Sequence, residues 1–148
     1  MHYFRNFMAR SGPIVIVEDD LDDQELIQEI LKAINVSNEL IFFAKCEKAF
    51  EFLKTSGIQP FIILSDVNLP EQNGLEFKRR IDEDSELRAK SIPFIFFSTS
   101  VDKKAVDTAY KEMTVQGFFQ KKSNFEELKS LIKLIVDYWK QCRHPNSE

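Results

Sequence analysis

Five short, largely apolar segments alternate with helical patterns along the chain, and this alternation constrains the fold more than any other feature. The segments are residues 14–17, 39–44, 61–64, 92–97 and 117–120. They are continuously apolar rather than alternating, which indicates strands that are buried on both faces of a sheet. Strands that alternate with helices form parallel sheets with right-handed crossovers. The sequence therefore predicts a five-stranded, doubly wound α/β domain.

The segments that separate and follow these strands predict five helices. Apolar residues recur at helical spacing in residues 26–34, 49–57, 75–81, 101–113 and 124–141. Gly57 and Pro60 are expected to end the second helix. Ser123 and Glu126 have the spacing of a capping box at the start of the last helix, and Ser100 is the expected cap of the fourth.

Length, charge and composition limit the classes of function. The 148 residues fit one domain, which we expect at residues 13–142 between flexible ends at residues 1–12 and 143–148. The formal net charge of -4 argues against direct binding to nucleic acid. The chain lacks both an apolar run of about eighteen residues and a secretory leader pattern, so we expect no membrane contact and a cytoplasmic protein. Cys46 and Cys142 are expected to be free thiols in a reducing compartment.

Polar residues follow the predicted strands at the points where these strands end. Glu18 and Asp19 follow the first strand, Asp66 the third, Ser98 the fourth and Lys121 the fifth. Because the carboxyl ends of parallel strands lie on one edge of a sheet, these side chains should converge in one pocket.

The chemistry of such a pocket is specific. Crowded carboxylates repel each other unless a cation lies among them, and their hard oxygen atoms suit Mg²⁺. An aspartate beside Mg²⁺ is a plausible nucleophile toward phosphorus, since the metal neutralises charge on the transferred group. A lysine and a hydroxyl would then bind the phosphoryl oxygens.

The acidic residues also have a plainer interpretation as the start of a helix, where carboxylates are favoured. For Asp22 and Asp23 this interpretation is preferred. For Glu18 and Asp19 we prefer the interpretation as part of the pocket, because Asp66 lies at the end of a neighbouring strand.

Four stretches together resemble the receiver domain of bacterial two-component response regulators. They are residues 14–20 (IVIVEDD), 63–74 (ILSDVNLPEQNG), 92–99 (IPFIFFST) and 117–121 (GFFQK), within a similarity over about residues 12–140. The resemblance implies the flavodoxin-like receiver fold with strand order 2-1-3-4-5. It also implies that Asp66 is the phosphoacceptor and that Mg²⁺ is held by Glu18, Asp19, Asp66 and the backbone carbonyl of Asn68.

The resemblance assigns further roles around the phosphoryl group. Residues that bind the phosphate or switch with it are Ser98, Thr99, Lys121 and Phe118, and residues that tune hydrolysis are Asn68 and Ser100. One position departs from the family, which usually has a cis-bonded proline after the lysine. Lys122 occupies that place, and a cis bond without proline costs about 2.5–4 kcal/mol. We therefore expect a trans Lys121–Lys122 bond, or else a strained cis bond.

The resemblance implies a regulatory switch rather than an enzyme. A sensor histidine kinase would phosphorylate Asp66, and output would pass to a phosphotransfer protein or a separate effector, as in the small single-domain regulators paired with bacterial phytochromes. A homodimer could form through the face of the fourth helix, fifth strand and fifth helix. Leu134 and Tyr138 lie off the buried stripe of the last helix, as a partner surface or as ordinary exposed residues. The alternative function is an interaction module that needs no phosphate.

Overall fold

The computed structural model describes residues 11–99 and 102–143, and its centre is one parallel sheet of five strands. The strands are β1 (Ile14–Val17), β2 (Leu40–Phe43), β3 (Ile62–Ser65), β4 (Phe94–Ser98) and β5 (Gly117–Gln120). Their order is β2-β1-β3-β4-β5, and all neighbours pair in parallel. The predicted fold and strand order are confirmed, with strand ends shifted by one or two residues.

Six helices connect and flank the strands within the described residues. They are α1 (Leu21–Ala33), α2 (Cys46–Thr55), α3 (Gly74–Glu83), α4 (Ser85–Lys90), α5 (Lys103–Glu112) and α6 (Phe125–Gln141). The short α4 was not predicted. Asp84 separates it from α3, because its extended backbone ends α3 while its carboxylate accepts hydrogen bonds from the amides of Glu86 and Leu87.

Two predicted helix caps were wrong by one or two residues. Asn124, not Ser123, caps α6 by accepting a 3.1 Å hydrogen bond from the amide of Glu127. Asp102, not Ser100, caps α5 by accepting a 2.7 Å hydrogen bond from the amide of Ala105. Asn and Asp cap helices at least as well as Ser. In both helices the cap is therefore the Asn or Asp directly before the first helical residue, rather than the serine upstream of it.

Two apolar layers cover the two faces of the sheet. Val15, Val17, Phe94 and Phe96 point into the layer that α2, α3, α4 and α5 cover. The intervening residues of the same strands point into the layer that α1 and α6 cover. Burial on both faces leaves the strand ends as the places where polar side chains can reach solvent, which positions the site.

Several predictions concern residues that the structure does not describe. They are the larger parts of the two ends, residues 1–10 and 144–148, and Ser100. Within residues 11–99 and 102–143, both cysteines are free thiols, as predicted. No helix in this part of the chain combines the length and apolar character that a membrane crossing requires.

Candidate functional site

Glu18 and Asp66 lie side by side at the carboxyl edge of the sheet. Val17 of β1 pairs with Ser65 of β3, so the residue after each strand projects from the same edge. The amide of Asp66 continues the ladder with a 3.0 Å hydrogen bond to the carbonyl of Val17. Carboxylate oxygens of Glu18, Asp19 and Asp66 lie within 4.8 Å of one another. The structure thus brings together the three acids that the strand ends predicted.

The three carboxylates differ in their surroundings. The Glu18 side chain is only 3% exposed, that of Asp66 is 11% exposed, and Asp19 is open to solvent. Burial raises the pKa of Glu18, more than the hydrogen bond and charge of Lys121 lower it. Hard oxygen donors that combine buried and open positions fit a divalent cation such as Mg²⁺, which keeps several of its waters.

Asp66 is held so that its two carboxylate oxygens have different roles. Its Oδ1 accepts hydrogen bonds from the amides of Val67 at 2.7 Å and Asn68 at 3.2 Å. Its Oδ2 faces the ammonium of Lys121 at 3.5 Å. The backbone therefore fixes the side-chain orientation and leaves Oδ2 as the oxygen toward the pocket. Asn68 itself is exposed, and the role of its carbonyl as a metal ligand stays a prediction.

Lys121 places one cation among these acids. Its Nζ donates to Glu18 Oε1, to Asp23 Oδ2 at 3.2 Å and to Asp66 Oδ2 at 3.5 Å, and its side chain is only 6% exposed. Burial alone would lower the pKa of Lys121. The hydrogen bond to Glu18 and the charges of all three acids outweigh it, and the pKa is raised. The lysine is thus a fixed positive charge facing Asp66.

The junction after Lys121 does not remove it from the site. No peptide bond among the described residues is cis, so the Lys121–Lys122 bond is trans. The amide of Lys121 donates a 2.8 Å hydrogen bond to the carbonyl of Ser98, which keeps the chain beside β4 past the end of β5. Lys122 is exposed, as expected for a surface lysine.

Asp23 is a site residue that sequence reasoning missed, because Asp22 and Asp23 were assigned together to the helix start. The amide of Asp23 bonds to the capping carboxylate of Asp20 at 3.0 Å. Side chains in a helix lean toward its amino end, so Asp23 reaches back over the strand ends. Its position in the first turn directly after β1 was the signal available in the sequence.

The predicted switch residues lie along β4 and β5. Ser98 is fully buried at the end of β4, and Thr99 after it is exposed. Phe118 of β5 is half-buried, with its ring centroid 5.4 Å from that of Phe96. These positions are compatible with the predicted roles, which stay predictions.

Gly74 is a second residue whose role the sequence did not reveal. A Cβ atom at this position would lie 2.2 Å from the carbonyl oxygen of Asp66 and 3.1 Å from the Cα of Val67. The amide of Gly74 donates a 2.8 Å hydrogen bond to the carbonyl of Val67. Glycine therefore lets the start of α3 pack directly against the backbone that carries Asp66.

Known proteins that resemble this chain belong to the family that the strand-end residues resemble. A profile of the response regulator receiver domain matches residues 14–133. Response regulator Rcp1 of Synechocystis sp. is 32% identical over 131 residues, which cover 85% of this chain and 87% of Rcp1.

Solved structures of related proteins share the fold. The phosphorylated cyanobacterial phytochrome response regulator RcpA has a TM-score of 0.78 and 29% identity, over 87% of this chain and 94% of RcpA. The Mn²⁺-bound form of Rcp1 has a TM-score of 0.77 and 30% identity, over the same shares of the two chains.

The profile match extends over most of the chain, and the strand order agrees with it. The acids Glu18, Asp19 and Asp66 and the cation Lys121 meet at the sheet edge where parallel α/β domains carry their sites. This chain belongs to the receiver domain family of two-component response regulators.

Proposed function

We propose that the protein is a phosphorylation-dependent switch in which Asp66 accepts a phosphoryl group from a sensor histidine kinase. The observation that carries the proposal is that the two carboxylate oxygens of Asp66 have different partners. Two backbone amides hold Oδ1, while Oδ2 faces Lys121 beside the carboxylates of Glu18 and Asp19. A nucleophile held in one orientation loses little freedom on reaction.

In the proposed transfer, Oδ2 of Asp66 attacks the phosphorus of a phosphohistidine. The new P–O bond forms a mixed anhydride, while the P–N bond breaks and its electron pair leaves with the imidazole. Hydrolysis later adds water at phosphorus, releases inorganic phosphate and restores the carboxylate. The chain modifies only itself, so its role is regulatory rather than enzymatic.

Glu18, Asp19 and Asp66 would hold Mg²⁺, with the carbonyl of Asn68 as a further ligand. When bound, the metal supplies positive charge for the transferred group and for the crowded carboxylates. A relative with 30% identity was solved with Mn²⁺ bound, and RcpA was solved phosphorylated. These relatives support the same chemistry here.

The residues around Asp66 would then respond to the phosphoryl group. Lys121 would pair with one oxygen, and Ser98 and Thr99 would donate hydrogen bonds to the others. Phe118, half-buried beside β4, would change its position with Ser98. Asn68 and Ser100 would tune the rate of hydrolysis. The phosphate thereby biases the domain between two states.

The output surface we propose is the face of α5, β5 and α6. Leu134 and Tyr138 of α6 are 62% and 61% exposed, and they border a groove of about 370 Å³ with Phe119 and Trp139. Apolar side chains that share a groove favour a partner surface over ordinary exposure. A second copy of the chain, an effector or a phosphotransfer protein would bind there, in the cytoplasm.

Incubation with Mg²⁺ and acetyl phosphate, followed by intact-mass measurement, tests the phosphoacceptor. The wild-type protein and Asp22→Asn, a matched control on the exposed side of α1, should each gain one phosphoryl group. Asp66→Asn and metal-free wild type should gain none. A protein that gains nothing, or that gains phosphate without Asp66, would favour the phosphate-independent interaction module instead.

A further inference from the structure

We propose that Asp23 is a positioning residue for Lys121, which holds the ammonium so that one of its N–H groups points at the phosphoryl group on Asp66. The proposal rests on the proposed function of Asp66. It assigns a role to a residue on α1 that contributes neither the nucleophile nor a metal ligand.

The contact between Asp23 and Lys121 is direct and well anchored. Oδ2 of Asp23 lies 3.2 Å from Nζ of Lys121. The backbone of Asp23 is fixed in the first turn of α1, since its amide bonds to Oδ1 of Asp20 at 3.0 Å. The Asp23 side chain is 37% exposed, so this carboxylate holds the lysine from the solvent side.

Asp23 differs from the other two partners of Lys121 in its relation to a metal. Among the described residues, the carboxylates that can share one ion are Glu18, Asp19 and Asp66. A bound cation would share the charge of Glu18 and Asp66 with Lys121. Asp23 lies outside this group, so its carboxylate would keep its full interaction with Lys121 when a metal is bound, while the interactions of Glu18 and Asp66 with Lys121 would weaken.

The geometry of an ammonium explains why a second anchor matters. Lysine has three N–H donors in a tetrahedral arrangement at the end of a long flexible stem. Glu18, in the loop after β1, and Asp23, in the first turn of α1, take up two of these donors, and the third faces Asp66. The backbone gives less help, because the residue after Lys121 is Lys122, which lacks the φ restriction that proline would impose.

Phosphorylation by acetyl phosphate in saturating Mg²⁺ measures the effect of this anchor on the reaction. Because the ion pair is charge-assisted but partly solvated, Asp23→Ala and Asp23→Asn should lower the maximal rate constant about three- to tenfold. Asp23→Glu should restore part of the loss. Asp22→Asn removes the same charge one residue away, from an exposed position, and should change the rate less than twofold, a shift we attribute to the general field. The Mg²⁺ concentration for half-maximal rate should move no more in Asp23→Asn than in Asp22→Asn.

A spectroscopic measurement in EDTA tests the same contact without any phosphate. The ¹H–¹⁵N signal of the Lys121 ammonium, assigned by its loss in Lys121→Gln, should shift or broaden in Asp23→Asn and stay unchanged in Asp22→Asn. Equal rates for the Asp23 and Asp22 variants, or an unchanged Lys121 signal in Asp23→Asn, would overturn the proposal. Should wild type accept no phosphoryl group, the proposed function fails and the ammonium signal alone decides the role of Asp23.

Discussion

The ammonium of Lys121 lies 3.5 Å from Oδ2 of Asp66, although the two residues are 55 positions apart in the sequence. Asp66 follows β3 and Lys121 follows β5, so one strand of the sheet lies between them. β4 separates β3 from β5 in the sheet, so the lysine reaches across the end of β4 to meet the aspartate. Glu18, which follows β1 beyond β3, and Asp23 of α1 complete its contacts. One cation thus joins both halves of the sheet at their common edge.

Replacement of Lys121 tests whether it balances the charge of the acidic cluster. Lys121→Gln should lower the free energy of unfolding in EDTA by about 3 kcal/mol, because buried Glu18 loses its counter-charge. Millimolar Mg²⁺ should stabilise the variant more than the wild type, since a bound cation supplies the missing charge and stabilises the state it binds. Urea unfolding with and without Mg²⁺ measures both. Equal stabilisation of the two proteins would contradict this account of Lys121.

A methyl group at Gly74 should disturb the backbone that carries Asp66. Gly74→Ala places a Cβ 2.2 Å from the Asp66 carbonyl oxygen and should lower the free energy of unfolding by about 3 kcal/mol. It should also slow phosphorylation, because the start of α3 must move.

Gly57→Ala is the matched control. Gly57 has φ of +70° but open space around it, so alanine there should cost about 1 kcal/mol and leave phosphorylation unchanged. Similar effects of the two variants on phosphorylation would be the contrary result.

A buried ion pair far from the site should make the free energy of unfolding depend on pH in the acidic range. Lys78 and Asp82 of α3 are almost fully buried and 2.8 Å apart, and Asp82 also accepts hydrogen bonds from the amide and hydroxyl of Thr114. Burial would raise the pKa of Asp82, but the hydrogen bonds from Lys78 and Thr114 outweigh it and lower the pKa below 3.8. The stability contributed by ionised Asp82 is therefore present above that pH and is lost as the pH falls through the lowered pKa.

Asp82→Asn should accordingly lower the free energy of unfolding at neutral pH by about 3 kcal/mol, because Lys78 is left without its buried partner. The difference from wild type should shrink as the pH falls below 3.8, which denaturant titrations across this range would measure. Asp107→Asn breaks the exposed pair of Asp107 with Lys103 and should cost about 0.3 kcal/mol. A difference between wild type and Asp82→Asn that does not change with pH would contradict the linkage.

The two cysteines should differ sharply in reactivity. Burial raises the pKa of the Cys46 thiol to about 11, and its Sγ contacts the carbonyl of Gln72 at 3.5 Å. Cys142, at the end of α6, is partly exposed. A disulfide reagent at about pH 8 should therefore modify one thiol of the folded protein quickly and the other only on unfolding, since the thiolate is the reactive form. Cys142→Ser should remove the fast phase, and two fast thiols in the wild type would contradict the burial of Cys46.

Much of the fold was predictable because its signals are local. Continuous apolar strands between amphipathic helices already specify a parallel sheet covered on both faces. The helix boundaries that were predicted wrongly lie where neighbouring residues are about equally suited to begin or end a helix. Asp84 ends α3 and starts α4, and a six-residue helix with Leu87 as its buried residue has too short a pattern to recognise. The caps Asn124 and Asp102 were missed for a similar reason, because a nearby serine is also an acceptable cap.

The sequence by itself determined the strands and the polar residues that end them. This was enough to bring Glu18, Asp19, Asp66 and Lys121 to one edge, because all strands of a parallel sheet end on the same side. It did not determine which of the adjacent acids Asp22 and Asp23 joins them. Successive residues of a helix differ in direction by about 100°, so the rotation of α1 about its axis decides this. That rotation is set by the packing of Ile27, Ile30 and Leu31 against the sheet, which only the tertiary structure fixes.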